Sequence, residues 1–385
     1  MLNFQMNNVL GLHNLIGGAS KKEGNTPLGR FTTGTYFDIS KEIVNTNIGS
    51  DKSNISINNK GMLYHDSDTQ TVFWKELKYG SSPVKRHDVG DLDWSFDVCQ
   101  LYPRIEGFVG IYKNNTSTKT QANYTVIEYT DEGYLYKKHE FSIPQDATGS
   151  NGAYIHKVVQ DPITKQFVFI FGSFATTATY LLVTDETLTK TIKATFVEEK
   201  YSLYTKNREY MAYNGWLYGA CASDSSNYCK MKYNSNDDVS KSFYRFYSSY
   251  ANASVADPEV GLVFNIVDGD IRELGTGVVF TKVPRLSSDG SEHLSCASMS
   301  PNPKNGFILD SKNKRIFEVY FKVPKINNND QFPVPECRVL TDFRFSTSLD
   351  YSKCFLSYDS KTCVIIFYNQ DRTGITNHSS YIYRR

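Results

Sequence analysis

The chain has 385 residues, with 42 Lys and Arg against 41 Asp and Glu and a net charge of +1. Acids and bases are interspersed along it, which excludes the concentrated basic face of a nucleic-acid binder, and no apolar run is long enough to cross a bilayer as a helix. The 27 Tyr and 24 Phe, together with many Thr, Val and Ile, favour strands.

In chain order, the start MLNFQMNNVLGLHNLIGGAS lacks a basic n-region and a continuous apolar core. This reads as a chain made in the cytoplasm without a signal peptide. Residues 1–50 are polar and carry Gly11, Gly17, Gly18, Gly24, Gly29 and Gly34. They form an irregular arm, either lying across the domain or docking onto a neighbouring subunit. Residues 6–15 or 40–44 suit a short helix, and residues 32–39 (TTGTYFDI) suit a strand.

From residue 51 onward the text is strand, turn, strand. Residues 55–57, 62–64, 72–77 and 94–98 supply a first unit, and residues 108–112, 123–129 and 134–142 a second. The third unit is the clearest, with strands predicted at 154–159, 166–171, 179–184 and 191–197. Each is rich in β-branched and aromatic residues and bounded by turn formers. Residues 166–171 are almost wholly apolar, which predicts burial on both faces. The last strand alternates Thr191, Lys193 and Thr195 against Ile192, Ala194 and Phe196, which predicts one wet face. A fourth unit has Asn214-Gly215 between two apolar runs, a strong hairpin signal. The fifth begins near Val255, the sixth near Gly306 with a polar insertion over 326–336, and the seventh near Phe355.

These units read as imperfect copies. Asp161-PITKQFVFIF compares with Asp310-SKNKRIFEVYF, Asp359-SKTCVIIFY and Asp66-SDTQTVFW, with Asp257-PEVGLVFNI as a looser version. The apolar strand after each turn recurs on average about every 49 residues, the period of a propeller blade. The fold class is therefore all-β, resembling the β-propeller superfold: seven blades of antiparallel strands over residues 51–385, with six or eight also fitting the spacing. An open ring would leave two unpaired edges. Residues 380–383 are accordingly expected to pair with N-terminal strands near 32–39 or 55–57. The W-D signature of one propeller family and the paired glycines of kelch are absent.

The seven cysteines, Cys99, Cys221, Cys229, Cys296, Cys337, Cys354 and Cys363, include no C-x-x-C pair and read as reduced, mostly buried thiols. No metal and no cofactor are expected: the seven histidines are scattered, and no phosphate loop or nucleophile elbow occurs. Asp91-Leu92-Asp93-Trp94 is the best enzymatic candidate, with Asp91 and Asp93 as paired carboxylates and Trp94 as a sugar platform. Its plain alternative is an acidic loop beside a half-buried Trp. Trp94, Tyr102 and Tyr250, with the other loop tyrosines Tyr201, Tyr204 and Tyr247, are candidate binding residues. Trp74 and Trp216 fall inside strands and are expected in the core. Residues 67–74 (SDTQTVFW) faintly resemble the Asp-box of sialidase-like propellers, but the Asp spacing differs and the Gly is missing.

The expected function is a non-enzymatic structural or binding module. The Asn-, Lys-, Tyr-, Ile- and Ser-rich composition is similar to that of phage tail proteins, including propeller-bearing nozzle and receptor-binding components. That resemblance implies a virion component whose partners are other protein subunits or a host-surface glycan, without nucleic acid and without membrane insertion. A glycan-binding or glycoside-cleaving propeller and a peptide-binding scaffold are the alternatives.

Overall fold

In the computed structural model, the described residues are 35–38, 55–66, 69–78, 81–89, 99–118, 120–144, 154–172, 179–197, 210–220, 227–234, 244–247, 254–259, 261–265, 269–273, 278–282, 294–296, 305–310, 312–313, 315–322, 336–344, 351–371 and 374–384. Among them every regular element is a strand, and the strands form seven four-stranded antiparallel sheets. The sheets follow one another along the chain, and the first six each take four consecutive strands in order. The chain is a β-propeller.

The first sheet comprises Ile55–Ile57, Gly61–Asp66, Thr71–Glu76 and Val84–Asp88. Its fourth strand lies upstream of the expected residues 94–98, which fall outside the described residues. The reading passed over Val84–Asp88 because VKRHD has no apolar pattern; an outermost strand has a neighbour on one side alone and needs none. The second sheet runs from Gln100–Pro103 through Phe108–Lys113 and Gln121–Tyr129 to Leu135–Pro144. The third has Tyr154–Gln160, Phe167–Gly172, Thr179–Thr184 and Val197-ending Thr191–Val197. The fourth begins with Met211–Tyr213 and Trp216–Ala220, joined by Asn214 and Gly215 at φ 49° and 82°, the conformation a two-residue hairpin turn demands. The fifth spans residues 254–282, and the sixth opens at Leu294–Cys296, ahead of the expected start near Gly306.

The seventh sheet closes the ring. Tyr351–Leu356, Thr362–Asp371 and Gly374–Arg384 are joined by Thr35–Asp38, which pairs Tyr36 with Tyr383 and Phe37 with Ile382. Residues 35–38 therefore belong to the propeller rather than to the arm drawn over 1–50. The helix expected at 6–15 or 40–44 lies outside the described residues.

First strands of successive sheets touch: Ile55–Ile57 meets both Tyr351–Leu356 and Gln100–Pro103, and Tyr154–Gln160 meets Gln100–Pro103 and Met211–Tyr213. They form the inner wall. The core lies between sheets. Side chains alternate across a strand, so Phe167, Phe169 and Phe171 pack with Ile111, Tyr124 and Val126 of the second sheet. Val168 and Ile170 pack with Leu217 and Met231 of the fourth. This is why Phe167–Gly172 is apolar on both faces and buried throughout. The outer strand of this sheet departs from expectation: Ile192 is 40% exposed, Ala194 is exposed, and Lys193 and Thr195 are half-buried. Among the described side chains of this strand, Val197 at its end reaches the core between sheets, and the rest have little apolar surface to which alternation could point.

Candidate functional site

In an antiparallel meander, the turns joining strands one to two and three to four emerge at one end of each sheet. The two-to-three turns and the sheet-to-sheet links emerge at the other. At the first end, polar side chains tie sheet to sheet. Asn59 donates Nδ2 to Asp359 Oδ2 at 2.8 Å, joining the first sheet to the seventh. Asn58 donates Nδ2 to the Asp131 carbonyl of the second sheet at 2.8 Å. The Ile105 amide donates to Gln160 Oε1 of the third at 2.9 Å. Asp161 Oδ2 accepts from the Gly215 amide at 2.8 Å and from the Tyr233 hydroxyl at 2.7 Å, both in the fourth sheet. The Tyr358 hydroxyl donates to the Gln160 carbonyl at 3.0 Å. The third and seventh sheets are not neighbours in the ring, so this last bond crosses its interior.

The cluster has the chemistry of a brace. Asp161 Oδ1 also accepts the Ile163 and Thr164 amides at 2.7 and 3.1 Å, so its carboxylate has four donors and is fully buried. Burial first, then the Asp161 charge, pushes the Tyr233 and Tyr358 hydroxyls far above the ordinary tyrosine range. Both stay neutral donors. A carboxylate with every lone-pair direction occupied is a poor base for a substrate.

A different arrangement lies on the rim, where the outer strand of the first sheet meets the turn that leads into the outer strand of the second. Tyr134, Leu135 and Tyr136 are 57%, 47% and 58% exposed, and Val84 of the neighbouring strand 49%. The turn before them is built by the sequence Thr130-Asp131-Glu132-Gly133. Gly133 sits at φ +75°, and a Cβ there would lie 2.7 Å from Leu63 Cδ1. The Thr130 amide and hydroxyl bond the Tyr134 carbonyl and amide at 2.9 and 3.2 Å. Arg86 stacks its guanidinium 4.0 Å from the centre of the Tyr134 ring and donates Nε to the Glu132 carbonyl at 2.8 Å. Lys137 Nζ lies 5.1 Å from the Tyr136 ring. Beneath this patch, Glu128 is buried and holds His139 Nε2 at 2.7 Å together with Arg104. That pins the outer strand to its neighbour. The result is two exposed aromatic rings with polar tips, each beside a cation, where a braced strand begins. Such side chains offer large contact area at small entropic cost.

Of the residues singled out from sequence, Asp91, Asp93, Trp94, Tyr250, Tyr201 and Tyr204 lie outside the described residues. Tyr102 does not sit on a loop: it belongs to the inner strand Gln100–Pro103 and is 2% exposed. Its hydroxyl bonds Gln100 Oε1. Trp74 is in the core as expected, whereas Trp216 is half-buried with Lys230 Nζ 4.8 Å from its ring. The repeated Asp turns divide. Asp161, Asp257 and Asp359 occupy one-to-two turns, while Asp66 and Asp310 end second strands. The repeat seen in sequence is thus shifted by one hairpin in the first and sixth sheets, and those turns emerge at the opposite end. The sequence reading missed the rim patch; its signal was the triplet Tyr134-Leu135-Tyr136 opening an otherwise polar strand, LYKKHEFSIP. Among the described residues no group of three or more His, Cys, Asp or Glu is placed to hold a metal ion.

No protein-family model matches this chain, and no curated protein does. Solved structures do. A catalytically inactive virginiamycin B lyase from Staphylococcus aureus, solved with quinupristin, is similar at 9% identity and a TM-score of 0.46, over 91% of this chain and 99% of that one. The β-propeller domain of Swd1 from Myceliophteria thermophila is similar at 10% identity and a TM-score of 0.42, over 89% and 88%. The aldose sugar dehydrogenase of Streptomyces coelicolor, bound to PQQ, is similar at 8% identity and a TM-score of 0.41, over 91% and 98%.

Proposed function

We propose that this chain is a non-enzymatic binding and assembly module, a structural component of a virion tail, and that it docks on further protein subunits through the rim patch of its first two sheets. The observation that carries the docking reading is the exposed Tyr134-Leu135-Tyr136 triplet with Arg86 stacked on Tyr134. Exposed apolar patches with polar rims mark interaction sites. The virion reading rests on composition and on residues 1–34, which precede the closing strand. A host-surface glycan is the second reading, because two tyrosine faces two residues apart also suit sugar rings.

The test is light scattering coupled to size exclusion on three chains: the full chain, one lacking residues 1–30, and the double variant Tyr134→Ser/Tyr136→Ser. The full chain should assemble above monomer mass, and the double variant should be a folded monomer. A full chain that stays monomeric at tens of micromolar, or a variant that assembles unchanged, overturns the docking reading. A monomer that retains a sialylated or neutral glycan on an array, and loses it in the double variant, establishes the second. The truncation stops at residue 30 because removing residues 1–50 would take Thr35–Asp38 out of the closing sheet.

A further inference from the structure

Cys354 and Cys363 sit on the first and second strands of the sheet that closes the ring. Cys354 pairs with Ile365 and Leu356 pairs with Cys363, so the two cysteines are diagonal neighbours on the same face. Their sulfurs are 3.1 Å apart. Cys363 is fully buried, and Cys354, inside its strand, is half-buried. Of the other described cysteines, Cys99 and Cys229 are buried elsewhere in the fold, and Cys296 and Cys337 belong to strands of the sixth sheet.

We propose that Cys354 and Cys363 are an oxidisable pair that forms an intrachain disulfide and braces the closing sheet. A disulfide is about 2.05 Å long, so roughly 1 Å of sulfur movement makes the bond, within reach of side-chain rotation. The oxidant is a low-molecular-weight disulfide such as oxidised glutathione. The Cys354 thiolate, the more accessible, attacks one sulfur of it, forming a mixed disulfide and releasing one thiol. The Cys363 thiolate then attacks Cys354 Sγ and releases the second thiol. Two protons and two electrons leave the protein, and the external disulfide is reduced to two thiols. The bond would join the inner strand of the closing sheet to its second strand, across the turn that carries Tyr358 and Asp359.

The experiment equilibrates the full chain with excess oxidised glutathione, blocks remaining thiols with a maleimide under denaturing conditions, and maps peptides without reduction. The expected result is a loss of two maleimide tags of the seven and one cross-linked peptide containing Cys354 and Cys363. It should be restored to seven tags by dithiothreitol, with the melting temperature higher in the oxidised chain by roughly 2–5 °C. The Cys354→Ser variant, chosen because position 354 is the less buried, should keep six tags and the same melting temperature in both conditions. Seven tags after equilibration, or a cross-link through any other cysteine, overturns the pairing. A linked chain that melts no higher than the reduced one overturns the bracing role.

Discussion

At the residue scale, the molecule depends on a few buried polar groups whose partners come from other sheets. Asp161 caps its own turn with one oxygen and holds the fourth sheet with the other. Asp161→Ala would strand four donors in a buried site, at a cost of about 3–5 kcal/mol; a urea midpoint within error of the parent would show that water replaces the carboxylate. His65 gives a pH dependence. It is fully buried, and burial pulls its imidazole down to about 4, against the smaller upward pull of Gln70 and Asp66. Between about pH 6.5 and pH 4 the unfolded chain then binds the proton and the folded chain does not. Stability is full above pH 6.5 and falls on acidification through that window, by up to about 3 kcal/mol. His87, also pulled down by burial, adds in the same direction. Urea unfolding at pH 7.5 and pH 4.5 should show this loss, and His65→Leu should remove most of it; an equal loss in the variant would place the titration elsewhere.

At the element scale, closure is the point of leverage. Gly374–Arg384 is hydrogen-bonded on both sides, to Thr362–Asp371 and to Thr35–Asp38. Deleting residues 380–385 removes every partner of Thr35–Asp38 and opens the ring. The melting temperature should drop sharply, whereas deleting residues 1–30 should leave it unchanged. Equal melts for both truncations would mean that the closing strand contributes little. This pairing was legible in part: the strand SSYIYRR needs a partner to avoid an open edge, and of the two expected candidates, 32–39 and 55–57, the structure takes the first. The outer strands were less legible. Val84–Asp88 was missed, whereas Thr191–Val197 was found at its bounds with its wet face misread; each pairs with one strand alone, so little core imposes a period on it. Their polar or misleading patterns report solvent rather than a sheet face.

At the scale of the whole molecule, the propeller is a scaffold whose fold does not name its function. The function proposed here rests on the rim patch and is decided by whether the Tyr134 and Tyr136 variants still assemble. Sequence alone determined the strand content, the recurring unit and the closure of the ring, because β-propensity, turn chemistry and the need to pair an edge act over a few residues or over the chain as a repeat. The tertiary structure decided which turns share an end, and so separated Asp161 from Asp66 and Asp310. It also placed Tyr102 in the inner wall, carried Tyr358 across the ring to Gln160 and brought Cys354 to Cys363. Those outcomes depend on hairpin register and on which sheets face one another once the ring is closed. Neither leaves a periodic mark on the residues concerned.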